Sequence, residues 1–322
     1  MVKNDRGQSL IGKYVWVIET IFRAKKISFK ELNRRWLRDD ISRGVEIPKR
    51  TFDNWRYVIG DLFGIDIVNE NRGEYRYFID NEEDISRNGL RSWLYNTFCV
   101  SNALANSQNV KDRILLEYVP SGQHYLQLII DAMKENRVLN MTYHSYWKDE
   151  EQNYDVQPYC VKLFRQRWYV VARSTEPYYY AQGPRIYALD RIRHLHKTDT
   201  EFTLPKDWSA EEFFDGCYGI IADQTIKPQA VKLKLTASQA NYIRDLQLHE
   251  SQEEIERNDQ YSIFQFFLRP AFDFQQEILR NGEGVEVLEP LWLRKEIAGM
   301  IKRMNDKYVN DVENENYPSV GT

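Results

Sequence analysis

Cysteine is scarce in this 322-residue chain: Cys99, Cys160 and Cys217 are the only three, far apart and odd in number. That usage excludes a disulfide framework and a CxxC metal site, and leaves ordinary buried thiols as the reading. Long apolar runs are missing as well. No stretch approaches the length of a membrane span, and the opening MVKNDRGQSL holds no signal-peptide apolar core. With 29% charged residues and a mean hydropathy of -0.64, the chain reads as a soluble, cytoplasmic protein with no membrane partner. Catalytic signatures are absent too: there is no Gly-rich phosphate loop, no GxSxG and no HExxH. The expectation is a protein that is not an enzyme and holds no metal or other cofactor.

What the chain does have is unevenly distributed charge. The net charge is -4, yet residues 1–80 carry sixteen Lys and Arg against twelve Asp and Glu. A basic end on an acidic body is the electrostatic footprint of a module that contacts DNA. Within that end, Tyr14, Val17, Ile18 and Ile21 have the spacing of an amphipathic helix. Ser28 with Glu31 three residues later opens a second helix as a capping box, carrying Phe29, Leu32 and Trp36 inward. After Ile47-Pro48, a third helix buries Phe52, Trp55, Ile59 and Leu62 and stops at Gly64. Strands over Ile65–Asn69 and Glu74–Ile79 follow, with Asn71-Arg72-Gly73 as a hairpin turn. Three helices and a hairpin is the order of a winged helix-turn-helix, whose third helix enters the major groove. With Phe52 inward, Arg50, Asp53, Asn54 and Tyr57 face out as candidate base readers, and Lys49, Arg56 and Arg72 as phosphate contacts. Arg50 and Arg56 are expected on the surface, so reversing their charge should leave stability nearly unchanged.

The most informative stretch is Asp155 to His196. It reads as three strands, with turns at Arg165-Gln166 and Gln182-Gly183-Pro184. Alternation places Trp168, Val170 and Ala172 on one face of the middle strand, and Arg167, Tyr169 and Arg173 on the other. In the last strand it places Ile186, Ala188 and Ile192 against Arg185, Tyr187, Leu189, Arg191 and Arg193, with Asp190 interrupting the apolar face. A face of guanidiniums and tyrosines makes a poor core but suits planar anions, since Arg forks match phosphate and rings stack on bases. An amphipathic helix over Gln123–Asn136 and a strand over Val138–Tyr146 precede this stretch.

These residues resemble the WYL domain, an SH3-like (Sm-like) small β-barrel named for a Trp-Tyr-Leu triplet. Here the triplet is Trp168-Tyr169-Val170, preceded by Met141-Thr142-Tyr143 and Pro158-Tyr159 and followed by Arg185 to Ile192. The final VEVLEPLWLRKEIAGMIKRMNDKY resembles the extension that commonly follows such domains. The resemblance implies a transcriptional regulator whose barrel senses a nucleotide-type ligand: single-stranded DNA, an oligonucleotide or a cyclic nucleotide. Matching the motif residue by residue implies a ligand site of Tyr143, His144, Tyr169, Arg185, Arg191 and Arg193. The tyrosines would stack or hydrogen-bond, and the three arginines would hold phosphates. His144 is either a phosphate donor or structural. Asp190 and Ile192 read as structural, and Trp168 as barrel packing.

The whole is therefore expected as an α+β multidomain chain. Residues 1–80 form the winged helix-turn-helix, 81–120 a helical connector (with Leu90, Trp93, Leu94, Phe98 and Leu104 on one helix and a short apolar element from Val110 to Val119), and 121–204 the barrel. Residues 205–226 form a packed linker, 227–310 a C-terminal ferredoxin-like or βαβαβα-like module, and 311–322 a disordered tail. The expected partners are double-stranded operator DNA, a nucleotide or single-stranded ligand, and a second copy of the chain, because such readers usually engage two half-sites. Two motifs stay open. His194 and His196 share a strand face and are either ordinary strand histidines or two metal ligands. Tyr178-Tyr179-Tyr180 either stacks on a base or packs a hairpin edge. A non-switching nucleic-acid-binding or defence-associated accessory protein is the competing reading. A nuclease would need a carboxylate cluster beside the arginines, and Asp190 alone is not one.

Overall fold

Tyr14, Val17, Ile18 and Ile21 form the buried stripe of helix α1 (Asp5–Ala24). The computed structural model to which it belongs describes residues 5–70, 75–81, 89–105, 113–115, 117, 119, 121–146 and 150–312. The chain divides into two compact units, Met1–Glu117 and Tyr118–Thr322. Among the described residues no helix is long and apolar enough to cross a membrane.

In the first unit Ser28 caps α2 (Phe29–Trp36) by accepting from the Glu31 backbone N–H at 3.2 Å. The Glu31 carboxylate pairs with Arg34 and Arg35 instead of completing the box. Helix α3 (Lys49–Phe63) buries Phe52, Trp55, Ile59 and Phe63, and Gly64 ends it with φ 66°, a left-handed cap that a Cβ would strain. Leu62, expected inward, is exposed and Phe63 takes its place. Strands β1 (Ile67–Asn69) and β2 (Tyr77–Ile79) pair antiparallel. The Asn71–Gly73 turn with Arg72 lies outside the described residues. A bridge between Ile27 and Tyr77 ties the α1–α2 turn to this pair. Helix α4 (Leu90–Ala105) joins the same core: Tyr95 is buried, and both Tyr95 and Phe98 meet Phe63 edge-on at 6.1 and 5.9 Å. Of the apolar element at 110–119, only 113–115, 117 and 119 are described.

The second unit opens with α5 (Leu126–Lys134), followed by β3 (Arg137–Tyr143), β4 (Gln152–Phe164) and β5 (Arg167–Ser174). The β4–β5 turn is a two-residue hairpin with positive φ at Arg165 (47°) and Gln166 (63°), the twist that such a turn requires. A single helical turn, α6 (Pro177–Tyr180), leads to β6 (Arg185–Ala188). The expected last strand breaks there. Leu189–Arg191 is a 3-10 turn, and β7 (Ile192–Glu201) departs to pair with β3. The antiparallel order is β6-β5-β4-β3-β7, so one 3-10 turn joins the two edges of the sheet. The 13-residue β4 serves both neighbours, its first part pairing with β3 and the rest with β5, past a bulge at Pro158–Cys160.

The face assignment of β6 was inverted. Val170 pairs with Tyr187, and Tyr169 with Ala188. Residues opposite one another share a face, so Tyr187 sits with Trp168, Val170 and Ala172 over the core. Tyr187 is 5% exposed and Leu189 fully buried, both in the cluster built on Ile129, Leu139, Met141 and Val156.

After a short α7 (Ala210–Phe213), the rest forms β8 (Gln229–Thr236), α8 (Ala237–Asp245), β9 (Glu253–Arg257), β10 (Tyr261–Leu268), α9 (Phe272–Arg280), β11 (Val285–Glu289) and α10 (Leu291–Val312). The sheet order is β11-β8-β10-β9, all antiparallel, with Val231, Leu233, Phe264, Phe266 and Phe274 at the centre of the core. Strand β9 was not expected, because EEIER carries no apolar alternation. It is an edge strand, where charge is tolerated and discourages pairing with other chains. Arg244 of α8 donates to the Glu254 carboxylate at 2.8 and 2.6 Å and to the Ser262 hydroxyl at 3.0 Å. The hydrogen bond from Arg244 holds the Glu254 pKa at about 2, below its ordinary 4.5. A depressed carboxylate stabilises fully above its ordinary value, and that contribution is lost as pH falls toward the folded-state value. Glu254→Gln should flatten the loss of stability between pH 4.5 and 2, read as urea midpoint against pH. Residues 313–322 lie outside the described residues.

Candidate ligand site and nucleic-acid face

Helix α3 presents the candidate DNA face of the first unit. Arg50, Asn54 and Tyr57 are exposed along one side, spaced one and two turns apart, with Tyr57 80% exposed. Among the described residues Arg50 has no ion-pair partner. The other expected contacts are engaged internally. Lys49 Nζ bonds Asp53 Oδ1 and the Tyr77 hydroxyl, each at 2.6 Å, within reach of the Phe29, Phe52 and Tyr77 rings. Burial works against its charge, but the bonds to Asp53 and Tyr77 outweigh it and raise its pKa. Arg56 donates Nε and Nη2 to the Ile67 carbonyl at 2.8 and 2.6 Å and Nη1 to Asp53 at 3.3 Å. Asp53, awkward beside phosphates, is thus neutralised by two cations. Farther along, Asp61, Asp66 and Asp80 line a hollow beside Arg56, so a polyanion fits only the N-terminal half of the helix.

The surface assignment of Arg56 is therefore corrected: it clamps α3 to β1. Arg50→Glu should abolish duplex binding with an unchanged melting temperature. Arg56→Glu should cost about 2–3 kcal/mol of stability, because it removes charge-assisted bonds to a carbonyl and sets a carboxylate beside Asp53. Thermal melts and gel shifts on both variants check this.

In the second unit the candidate site gathers around the Leu189–Arg191 turn. Tyr143, at the end of β3, is buried, and its hydroxyl accepts from the Ala188 N–H at 3.2 Å. Burial pushes its pKa up, as it does for Tyr169, which stands opposite Ala188 on β5. Arg191 lies over the Tyr143 ring at 4.9 Å and the Tyr146 ring at 3.6 Å. Its Nε donates to the His144 carbonyl at 2.9 Å, while the His144 N–H donates to the Arg191 carbonyl at 3.1 Å. Arg167 donates to both Asp190 oxygens, at 3.3 and 2.7 Å, and lies 5.7 Å from the Tyr169 ring centre. Burial opposes the Arg167 charge, but the Asp190 bond prevails and raises its pKa. Arg191 has no carboxylate partner among the described residues.

Tyr143, His144, Tyr169 and Arg191 thus come together, and Arg185 and Arg193 stand apart. Arg185 bonds the Gln182 side chain and lies 4.6 Å over Tyr179. Arg193 is half exposed and pairs with Glu151 at 3.5 Å. The shared-face argument failed because the strand turns at residue 189. Tyr146, Arg167 and Asp190 complete the cluster. Asp190 read as structural, and it does hold Arg167. Tyr146 carried no signal beyond its place just after β3, since it reaches Arg191 only through the 3-10 turn. His194 and His196 are exposed on β7, opposite Thr142 and Asn140. No group of three or more metal-ligating side chains occurs among the described residues. Tyr179 packs edge-on to Tyr154 at 6.2 Å, whereas Tyr178 is 74% exposed.

Residues 124–197 match the family model of the WYL domain, and residues 227–304 match that of the WCX domain. No curated protein matches. Among solved structures, the chain is similar to proteasome accessory factor B/C (PafBC) of Arthrobacter aurescens, at 16% identity and a TM-score of 0.38, covering 96% of this chain and 48% of that one. It is also similar to a CRISPR Cas-related protein, at 12% identity and a TM-score of 0.39, covering 95% of this chain and 86% of that one. The chain thus spans about half the length of the first of these. With the triplet Trp168-Tyr169-Val170 on β5 inside the first matched segment, the chain carries a WYL domain at residues 124–197 and a WCX domain at residues 227–304.

Proposed function

We propose that this protein is a DNA-binding transcriptional regulator whose WYL domain binds a nucleotide-type ligand and thereby alters its grip on operator DNA. The observation that carries the reading is Arg191, a cation lying over two tyrosine rings with no carboxylate partner among the described residues, in the segment that matches the WYL domain. Its Nη groups are the fork for a phosphate, and Tyr146, 71% exposed, is the ring for a base. Three helices, a strand pair and the Ile27–Tyr77 bridge support a winged helix-turn-helix in the first unit, with Arg50, Asn54 and Tyr57 as its reading face. Five antiparallel strands whose edges meet at a 3-10 turn support an SH3-like barrel. The β-α-β-β-α-β order with β8 and β10 central supports a ferredoxin-like C-terminal module. A homodimer fits a reader of two half-sites.

Ligand acts on DNA binding only if it has unequal affinity for the DNA-bound and free arrangements. The test is a gel shift on duplexes selected from a random pool, with and without the nucleotide identified by mass spectrometry of the purified protein. A changed midpoint supports the switch. An unchanged midpoint with ligand bound transfers the reading to a non-switching nucleic-acid-binding protein.

A further inference from the structure

Two cations, Arg269 buried and Lys162 partly buried, lie where the β4–β5 hairpin meets the C-terminal sheet, and neither has an ion-pair partner among the described residues. Arg269, just after β10, is 7% exposed, and its Nε and Nη1 are enclosed with nothing to donate to. Nη2 is not among the enclosed nitrogens and has no hydrogen-bond partner among the described residues. Lys162 of β4 donates Nζ to the Gly219 carbonyl at 2.7 Å and lies 3.8 Å over the Phe214 ring. The Gly216–Gly219 segment holds both in place. The Arg269 N–H donates to the Gly216 carbonyl at 2.7 Å, and Cys217 bridges Arg269 in parallel. A Cβ at Gly219 would meet Asp273 Oδ2 at 2.5 Å and Phe164 at 2.8 Å, and one at Gly216 would meet Pro228 at 2.9 Å.

Nearby acids act on these cations, Asp273 on Lys162 and Asp223 on Arg269, but none forms an ion pair with them among the described residues. Asp273 Oδ2 accepts from the Ile221 N–H at 3.1 Å, and Asp223 Oδ1 accepts from the Thr225 N–H and hydroxyl at 2.8 and 2.6 Å. Asp215 reaches neither cation within 4 Å. Burial pushes the Cys217 thiol up and keeps it neutral, although Arg269 and Lys162 both act on it. Burial likewise lowers the Lys162 pKa. A buried charge is retained at a cost unless an opposite charge meets it. Two cations call for a dianion, because a single carboxylate leaves one of them unmatched, and a guanidinium fork suits phosphate.

We propose that this junction is a phosphate site, in which one phosphate group bridges Lys162 Nζ and the Arg269 guanidinium and so links β4 to the turn between β10 and α9. It adjoins the tyrosine cluster, since Lys162 stands opposite Tyr169, but its contacts are a separate set and it does not depend on Arg191.

The test is thermal unfolding of the full chain in inorganic phosphate, in adenosine monophosphate and in chloride at matched ionic strength. The wild type should melt higher in phosphate than in chloride. Arg269→Met should already melt higher than wild type in chloride, because an orphaned charge is gone, and should not respond to phosphate. Lys162→Met should raise the half-saturating phosphate concentration at least about tenfold, the loss of one charge-assisted bond; this variant decides the matter if Arg269→Met fails to fold. Arg191→Ala should keep the full response to inorganic phosphate. A response to inorganic phosphate assigns the site to the free ion, and one to adenosine monophosphate alone that survives in Arg191→Ala assigns it to a nucleotide. Equal melting of the wild type in all three solutions overturns the proposal, as does an undiminished response in Lys162→Met or a response to inorganic phosphate that is lost in Arg191→Ala.

Discussion

Arg191→Ala is expected to weaken binding of a nucleotide or short single strand by about ten- to a hundredfold, the worth of one or two charge-assisted hydrogen bonds. The expectation rests on what the guanidinium leaves unused. Nε is committed to the His144 carbonyl, the guanidinium lies over the Tyr143 and Tyr146 rings, and the Nη groups meet no carboxylate among the described residues. Arg167 differs, since Asp190 already holds it in a two-point bond. Arg193→Ala should change affinity less than about threefold, because its side chain is held among the described residues by an exposed pair with Glu151, a kind worth about 1 kcal/mol or less. Fluorescence titration with a labelled oligonucleotide measures both. Identical curves for wild type and Arg191→Ala would remove this arginine from the site.

The second large effect is on the frame that carries Arg191. Gly122 has φ 62°, and a Cβ there would sit 2.3 Å from the Leu189 carbonyl carbon and 2.4 Å from the Asp190 nitrogen. Those atoms are backbone and cannot rotate away. Gly122→Ala should therefore cost about 3 kcal/mol or more, from overpacking and left-handed strain together, and should push the 189–191 turn off its seat. Ligand affinity should fall with stability even though Gly122 touches no ligand. A urea series with an oligonucleotide titration at low denaturant checks both. A stable variant with undiminished binding would show that the close packing of Gly122 does not position the turn.

Much of the fold was readable in advance where the pattern is local. The helix of Tyr14, Val17, Ile18 and Ile21, the Ser28 cap and the Gly64 stop each depend on residues within a turn or two. The hairpin at Arg165-Gln166 was legible for the same reason. What failed depended on distance in the chain. Charged EEIER reads as loop because its strand is stabilised by β10 and by Arg244, eighteen residues before Ser262. Arg56 reads as surface because its acceptor, Ile67, belongs to another element. The site divided likewise: Tyr143, His144, Tyr169 and Arg191 came from the motif, whereas the bend at residue 189 sent Arg185 and Arg193 elsewhere and brought in Tyr146.

By itself the sequence determined the helices and hairpins with a local pattern, the basic charge of the first 80 residues and the kinship of residues 124–197 to the WYL domain, because spacing, capping and composition act over a few residues. Only the tertiary structure decided which charges are spent. Pairing is a matter of a few ångströms between elements far apart in the chain, so Lys49, Arg56 and Arg167 are satisfied internally, while among the described residues Arg50, Arg191 and Arg269 meet no carboxylate.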